Sequence, residues 1–289
     1  MNLPIIGTEA LATGELTRGQ LRWNYRPILP NVYVLKEQPL TLRTRTVAAW
    51  LWSGRRAVIA GRAAAALHGA LWVAERTPVE LVYPCGRPPS GIIARNERID
   101  ADEIVVVDSM LVTSTVRTAL DLGRLLPRDP AVIHLDALAR AVAVQRDSIL
   151  ALVQRYPGSR GVARAAAAVD LMDAGAESPK ETWVRLVLID AGLPRSRTQI
   201  RVSDGSRAAY IDMGWDEPMV GVDYEGDHHR SERRTYVSDI GRYELIARQG
   251  WNDIRVVAEH RPRFIVHRAI EAFGRRGWNY HRNARRDCA

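Results

Sequence analysis

The chain has 289 residues, 46% of them hydrophobic, with a formal net charge of +8 and a pI of about 9.9. That size allows one large or two medium domains with an ample core, and the basic balance points to an anionic partner, most simply nucleic acid. Cys85 and Cys288 are the only cysteines and neither sits in a C-x-x-C pair, which excludes a zinc ribbon and leaves no disulfide framework. The opening Met-Asn-Leu-Pro-Ile-Ile-Gly lacks a basic segment ahead of a long apolar run, and no window approaches a membrane span. A cytoplasmic protein is expected.

In chain order, residues 7–35 read as a short helix around Thr17-Arg-Gly-Gln-Leu-Arg-Trp23 and then a strand, Asn31-Val-Tyr-Val-Leu35. An apolar helix over 41–53 holds Trp50 and Trp52. Gly61–His68 is an Ala-rich helix that Gly69 ends. His68 suits a structural role there, as a cation near a helix C-terminus or a buried ring paired with backbone. Strands are expected at 79–83 and 104–107, with a loop from Pro84 to Gly91. Thr113-Ser-Thr offers N-caps for a helix to about Leu122, and helices follow at 131–142 and 146–155. Tyr156-Pro-Gly-Ser-Arg-Gly161 is the strongest break signal, dividing the chain into regions 1–156 and 157–289.

Beyond it, 162–172 is helical. Ser178-Pro179 opens a helix to about Ala191, with Ser as N-cap and Pro at the first position. Strands follow near 198–203, 208–214 and 219–225, a helix at 232–248, a strand at 253–258 and a last helix at 262–275. The expected fold class is therefore α+β, with a small mixed sheet in the second half.

The segment from Tyr210 to Arg230 carries the chemistry. Val220, Val222 and Tyr224 alternate with Gly221, Asp223 and Glu225, the period-two pattern of a strand, and Trp215-Asp-Glu-Pro218 reads as the turn of a hairpin. With that loop Asp212 lies opposite Gly221 and shares a face with Asp223 and Glu225, whereas a loop of odd length would send Asp212 to the other face. Acids are depleted in strands, so packing alone does not explain a pair flanking Tyr224. Carboxylates that converge either face water or hold a divalent cation. Glu177 and Glu181 lie four apart at a helix start, where ordinary pairing with Arg185 or the helix dipole also accounts for them. His228-His229 is no natural chelate, because neighbours on a strand point to opposite faces. Trp183, Trp215, Trp251 and Trp278 are candidates for base stacking, with core packing favoured for Trp183 and Trp251.

Glu177-Ser-Pro-Lys-Glu181, Ala191-Gly-Leu-Pro194, Tyr210-Ile-Asp212, Val222-Asp-Tyr-Glu-Gly226 with His229-Arg230, Asp239-Ile-Gly-Arg242, Gly250-Trp251 and Ile254-Arg-Val256 run in order over nearly a hundred residues. Together they resemble the bacterial family related to very-short-patch-repair endonucleases, within the PD-(D/E)XK nuclease superfamily. The resemblance implies a restriction-endonuclease-like domain with Mg²⁺ or Mn²⁺ held by Asp212, Asp223 and Glu181. Asp239 and Arg242 would lie beside the site, and Glu225 or His229 would assist proton transfer. The family's Glu-Tyr-Asp-Gly stands here as Asp223-Tyr-Glu225-Gly, and Glu225 occupies the place of the usual lysine. Arg230, Arg233, Arg234 and Arg242 are the candidate DNA contacts.

Leu16-Thr-Arg-Gly-Gln-Leu21, Asn31-Val-Tyr-Val34, Ala63–Gly69 and Val112–Leu122 resemble the AbiEi-type antitoxin and transcriptional-regulator family. That implies a winged helix-turn-helix followed by an α/β region, here reduced to a remnant because one helix alone precedes the strand at 31–35. Two functions follow as expectations. One is a metal-dependent DNA endonuclease. The other is a non-catalytic DNA-binding regulator or antitoxin, paired with a toxin protein, that keeps the nuclease fold.

Overall fold

The computed structural model of the chain describes residues 3–226 and 233–279, the side chains of the second stretch from residue 240 onward. The chain divides into two compact units, Met1–Ala174 and Gly175–Ala289. The break expected at 156 thus falls inside the first unit.

The first unit opens with β1 (Ile5–Ile6), α1 (Gly7–Ala12), α2 (Arg18–Asn24), β2 (Tyr25–Leu29) and β3 (Val32–Leu35). Thr17 starts α2 through a reciprocal cap: its Oγ1 accepts the Gln20 N–H at 3.2 Å and Gln20 Oε1 accepts the Thr17 N–H at 2.8 Å. The expectation of a single helix ahead of the strand is corrected by α1, whose 6 residues are too few for a helical period to show. Helix, turn, helix and hairpin follow in the order of a winged helix, and β1-β3-β2 form its small sheet. No residue of α2 is buried.

Next come α3 (Leu42–Trp52), β4 (Val58–Ala60), α4 (Gly61–Leu67), β5 (Val79–Val82), β6 (Ile92–Arg95), β7 (Ile104–Val107) and β8 (Met110–Thr113). The strands make a mixed sheet in the order β6-β5-β4-β8-β7. Ile59, Leu81 and Val112 pack with Val47, Ala48 and Ala64 of the helices in one apolar cluster. Gly61 (φ +58) must lack a side chain, because a Cβ there would lie 2.5 Å from the buried Glu80 carboxyl. His68 is structural as expected, its Nε2 lying 2.7 Å from the Thr113 carbonyl. The unit closes with α5 (Thr115–Leu125), α6 (Arg128–Val142), α7 (Arg146–Arg155) and α8 (Val162–Asp170). Leu120, Leu152 and Ala165 bring α5, α7 and α8 into one cluster, so the Pro-Gly break at 157–158 is a bend within a helical layer.

The second unit comprises α9 (Pro179–Asp190), β9 (Arg197–Ser203), β10 (Ala208–Trp215), β11 (Val220–Tyr224), α10 (Arg233–Arg248), β12 (Asn252–Val256) and α11 (Pro262–Arg275). Its four-stranded sheet runs β12-β11-β10-β9, with β11 and β12 parallel and the other pairs antiparallel. One face packs on α9 and α11 through Val184, Leu188, Val222, Ile254, Ile265 and Phe273. The other packs on α10 through Ile200, Ile211, Leu245 and Ile246. The four tryptophans considered for base stacking belong to these cores. Trp215 and Trp278 both meet Phe273 edge-on, at 4.8 and 4.6 Å between ring centroids, and the Trp215 indole donates to the Pro194 carbonyl.

Candidate active site

Asp212 lies on β10 and Asp223 on β11. The pairs Met213↔Val222 and Gly214↔Gly221 place the two acids across from each other at the end of the hairpin ladder. The turn occupies 216–219, closed by Met219 N–H to the Asp216 carbonyl at 3.1 Å, with Met219 in the left-handed region at φ 52. The expected register, with Asp212 opposite Gly221, is therefore out by two residues. A shift of two preserves the face because side chains alternate with period two, so the acids meet all the same.

Beyond Met213 and Val222 the ladder passes to side chains. The Asp212 N–H donates to Asp223 Oδ1 at 2.7 Å, and the Tyr224 N–H donates to Asp212 Oδ2 at 2.7 Å. β10 also turns over here. Ile211 packs under α10, while Met213, which a flat strand would keep on the same face, packs under α9 and α11. Between their partners on β9, Ile200 and Thr198, stands Gln199 with φ 49. Asp212 thus sits where the sheet twists open.

Around this pair the structure assembles a charged cluster. Arg242 of α10 donates to the Tyr210 carbonyl at 2.7 Å and also to Asp223 Oδ2. Asp253 of β12 is in register with Gly221 and shares the face of Asp223. Both Asp253 oxygens are buried without a hydrogen-bond partner among the described residues. A Cβ on Gly221 would lie 3.3 Å from Asp253 Oδ1 and 2.8 Å from Ile211, so glycine there keeps room for the acid. Glu225 accepts from the Tyr243 hydroxyl at 2.9 Å and lies 3.4 Å from Arg255 Nε. Glu181 is buried at the start of α9, where its Oε2 accepts the Glu177 N–H at 2.8 Å and its own N–H donates to the Ser178 hydroxyl.

Burial is the main force on these acids, with neighbouring carboxylates adding to it and Arg242 opposing. Burial, reinforced by Asp223 and then Glu181, pushes the Asp212 carboxyl up to about 8. Burial raises Asp223 as well, against the pull of Arg242. Asp253 rises to about 7, through burial first and Asp223 second. Burial and the bond to Glu225 lift the Tyr243 hydroxyl well above the usual phenol range. Acids held this far from their ordinary values mark a site that favours positive charge.

Divalent-metal fit follows from the donors. They are carboxylate oxygens, and the partnerless Asp253 oxygens lie beside them. Mg²⁺ keeps several waters and takes one or two carboxylates, and Asp212 and Asp223 are donors of that kind. Asp212, Asp223 and Glu181 do not bring three ligand oxygens within 4.8 Å of one another. Among the described residues, the only group of three acids with ligand oxygens within 4.8 Å of one another is Asp100, Asp102 and Glu103 in the first unit. Those three are already matched by Arg98, Arg155 and Arg117. Glu181 acts on Asp212 through its field.

Of the other expected residues, Arg242 does lie beside the site. Its guanidinium is turned onto Asp223 and the Tyr210 carbonyl. Glu225 is held by Tyr243 and Arg255. His228, His229 and Arg230 lie outside the described residues, as do the side chains of Arg233, Arg234 and Asp239. Sequence reading missed Asp253 and Tyr243. Asp253 carried the same signal as Asp223, an acid within an apolar strand, while Tyr243 carried none.

No family model matches the chain. Two Mycobacterium tuberculosis proteins, from strains CDC 1551 / Oshkosh and ATCC 25618 / H37Rv, are each 28% identical to it over 232 residues, covering 79% of this chain and 83% of the relative. Both are described as uncharacterized proteins. No described helix is long and apolar enough to cross a membrane.

Proposed function

We propose that the protein is a DNA-binding, metal-dependent endonuclease whose phosphodiester-cleaving centre is built on Asp212 and Asp223. The observation that carries this reading is the crossed pair itself: two facing carboxylates at a twist in the sheet, both raised by burial, with Asp253 beside them. Asp212 and Asp223 would hold Mg²⁺ or Mn²⁺, which supplies an activated water and neutralises phosphate charge. Asp223 is kept in place by Arg242, and Asp212 by the Tyr224 N–H. Glu181 adds negative potential that favours the cation. Glu225 and Tyr243 form a hydrogen-bonded pair at the end of β11, within reach of proton transfer to the surroundings. In the first unit α2 exposes Arg18, Gln20, Arg22 and Trp23, the last 71% exposed, which suits phosphate and groove contact.

One observation favours the second reading, a DNA-binding regulator or antitoxin without catalysis. Arg242 already gives Asp223 a cation, as a retired metal site would require. A plasmid-nicking assay with Mg²⁺ and Mn²⁺ separates the two. Nicking by the wild type that is lost in Asp212→Asn supports the endonuclease. No nicking, with no Mn²⁺ bound, leaves the regulator.

A further inference from the structure

The larger sheet of the first unit ends on β7, which pairs with β8 on one side and with no described strand on the other. The turn after β7 fixes which of its backbone groups face outward. Asp108 and Ser109 both have positive φ, 49 and 66, as a type I′ hairpin requires, so Val107 and Met110 exchange backbone hydrogen bonds across it. Every second residue repeats that arrangement. Val105 is bonded to Val112, and the Ser114 N–H donates to the Glu103 carbonyl at 2.7 Å. The N–H and C=O groups of Ile104 and Val106 therefore point away from β8, and among the described residues nothing bonds to them.

A bare edge is a template for another strand, and folded proteins blunt it with charge, proline or a bulge. The other edges of this protein are blunted in that way. β9 carries Arg197 and Arg201, with Gln199 out of the extended region at φ 49; β12 carries Asp253 and Arg255; β6 ends on Arg95; β2 holds Arg26 and Pro27. Among the described edge strands longer than β1, β7 alone has neither a charge nor a proline. Its Val106 is 68% exposed and its Val105 38%.

This edge is complementary to itself. In an antiparallel pair of two copies centred on Val105, Ile104 of each copy lies opposite Val106 of the other, and every outward N–H meets an outward C=O. Centring the pair on Ile104 or Val106 instead would bring Asp102 of the 3₁₀ turn or Asp108 of the hairpin turn into the ladder. On one face, exposed Val106 would cover Ile104 of the second copy, which packs with Val58, Ala60 and Val82. At each end Asp102 would face Asp108 of the second copy. Both acids are already matched, by Arg155 and Arg43 at 2.8 Å, so like charge does not oppose the pairing. A charged peptide finds no counter-charge along β7, which favours a second copy as the occupant.

We infer that β7 is a dimerisation edge, joining the larger sheets of two copies antiparallel about a twofold axis at Val105. The inference does not depend on the acid centre of the second unit. The test is sedimentation velocity of the full chain over a wide range of concentration, in which the wild type should pass from monomer to dimer. Val106→Pro removes an outward N–H from each copy and none from the ladder to β8, a place where an edge strand tolerates proline. It should weaken association at least about 10-fold. Val105→Cys tests the register, because facing residues at a non-hydrogen-bonded site have Cα atoms about 4.5 Å apart, within disulfide reach. Under oxidation it should cross-link two copies well above the level of the wild type, and Val106→Cys should not. A wild type that stays monomeric, undiminished association in Val106→Pro, or a cross-link no greater in Val105→Cys than in Val106→Cys each overturns the inference. If circular dichroism shows that Val106→Pro does not fold, Val106→Lys carries the test from the same exposed position by charging the shared edge. Association undiminished in that variant overturns the inference just as firmly.

Discussion

Both units bury carboxylates, but they treat them in opposite ways. In the first unit Asp121 accepts from Arg117 and Arg124, Glu103 from Arg117, and Glu97 from both arginines, so neighbouring charge opposes the cost of burial. Burial still pushes Asp121 up, yet every neighbour acting on it pulls it back. In the second unit the strongest charge effects on Asp212 come from two more carboxylates, which push the same way as burial, with Arg242 opposing more weakly. A fold that needs an acid surrounds it with arginine. The acids of the second unit are left under-matched. On the proposed reading, the contrast is that between an architectural ion network and a site for a cation.

Breaking the matched network should have the largest effect. Arg117→Met leaves Asp121 with Arg124 alone and Glu103 with Arg155 and the Tyr156 hydroxyl, and should destabilise the first unit by about 3 kcal/mol, read from urea unfolding. Next, His134 of the first unit and the Asp212–Asp253 acids of the second should contribute to stability with opposite pH dependence, by roughly 2–4 kcal/mol each. Burial and Arg62 depress His134 of α6 from 6.5 to about 4. Its contribution is therefore present above pH 6.5 and is lost as pH falls towards 4. Asp212 and Asp253 are raised from 3.8 to about 8 and about 7, so their contribution is present below 3.8 and is lost as pH rises through those values. Amide protection factors at pH 5 and pH 8 should show the second unit the looser at pH 8, with Mn²⁺ restoring it there. Parallel trends in both units would break the contrast.

Asp212→Asn keeps the acceptor for the Tyr224 N–H and removes the charge. It should cut nicking at least about 100-fold, or about 2.7 kcal/mol of barrier, while DNA binding in a gel-shift assay stays or strengthens. The smallest effect sharpens the boundary between units. Thr17→Ala removes the α2 cap, should cost about 1 kcal/mol in a melt, and should leave Mn²⁺ affinity unchanged.

The regular elements were legible because their signals are local. Ser178-Pro179 announces α9, the alternation of 220–224 announces β11, and Gly69 and Gly250 end α4 and α10. What the sequence hid is short or distant. α1, β4, β6 and β8 offer too few positions for a period to emerge. The hairpin could be read to its face but not to its register, because the turn begins one residue later than Trp215-Asp-Glu-Pro suggests. Asp253 stood in plain view, but only parallel pairing across a helix of separation brings it beside Asp223. The bond from Arg242 to Asp223 was hidden as well, because nothing local in α10 shows which way that arginine turns.

The crossed bonds between β10 and β11 carry a consequence for descent. Asp212 and Asp223 each take a backbone N–H that would otherwise lack a partner at the open end of the hairpin. Selection on folding therefore guards the pair as firmly as selection on chemistry. If the proposed chemistry were abandoned in a lineage, both acids would be kept for the sake of the sheet, and Glu181 for the Glu177 N–H it accepts, long after the partnerless Asp253 had drifted. Among homologues, variation at Asp253, rather than loss of the central pair, is where abandoned chemistry would first be visible.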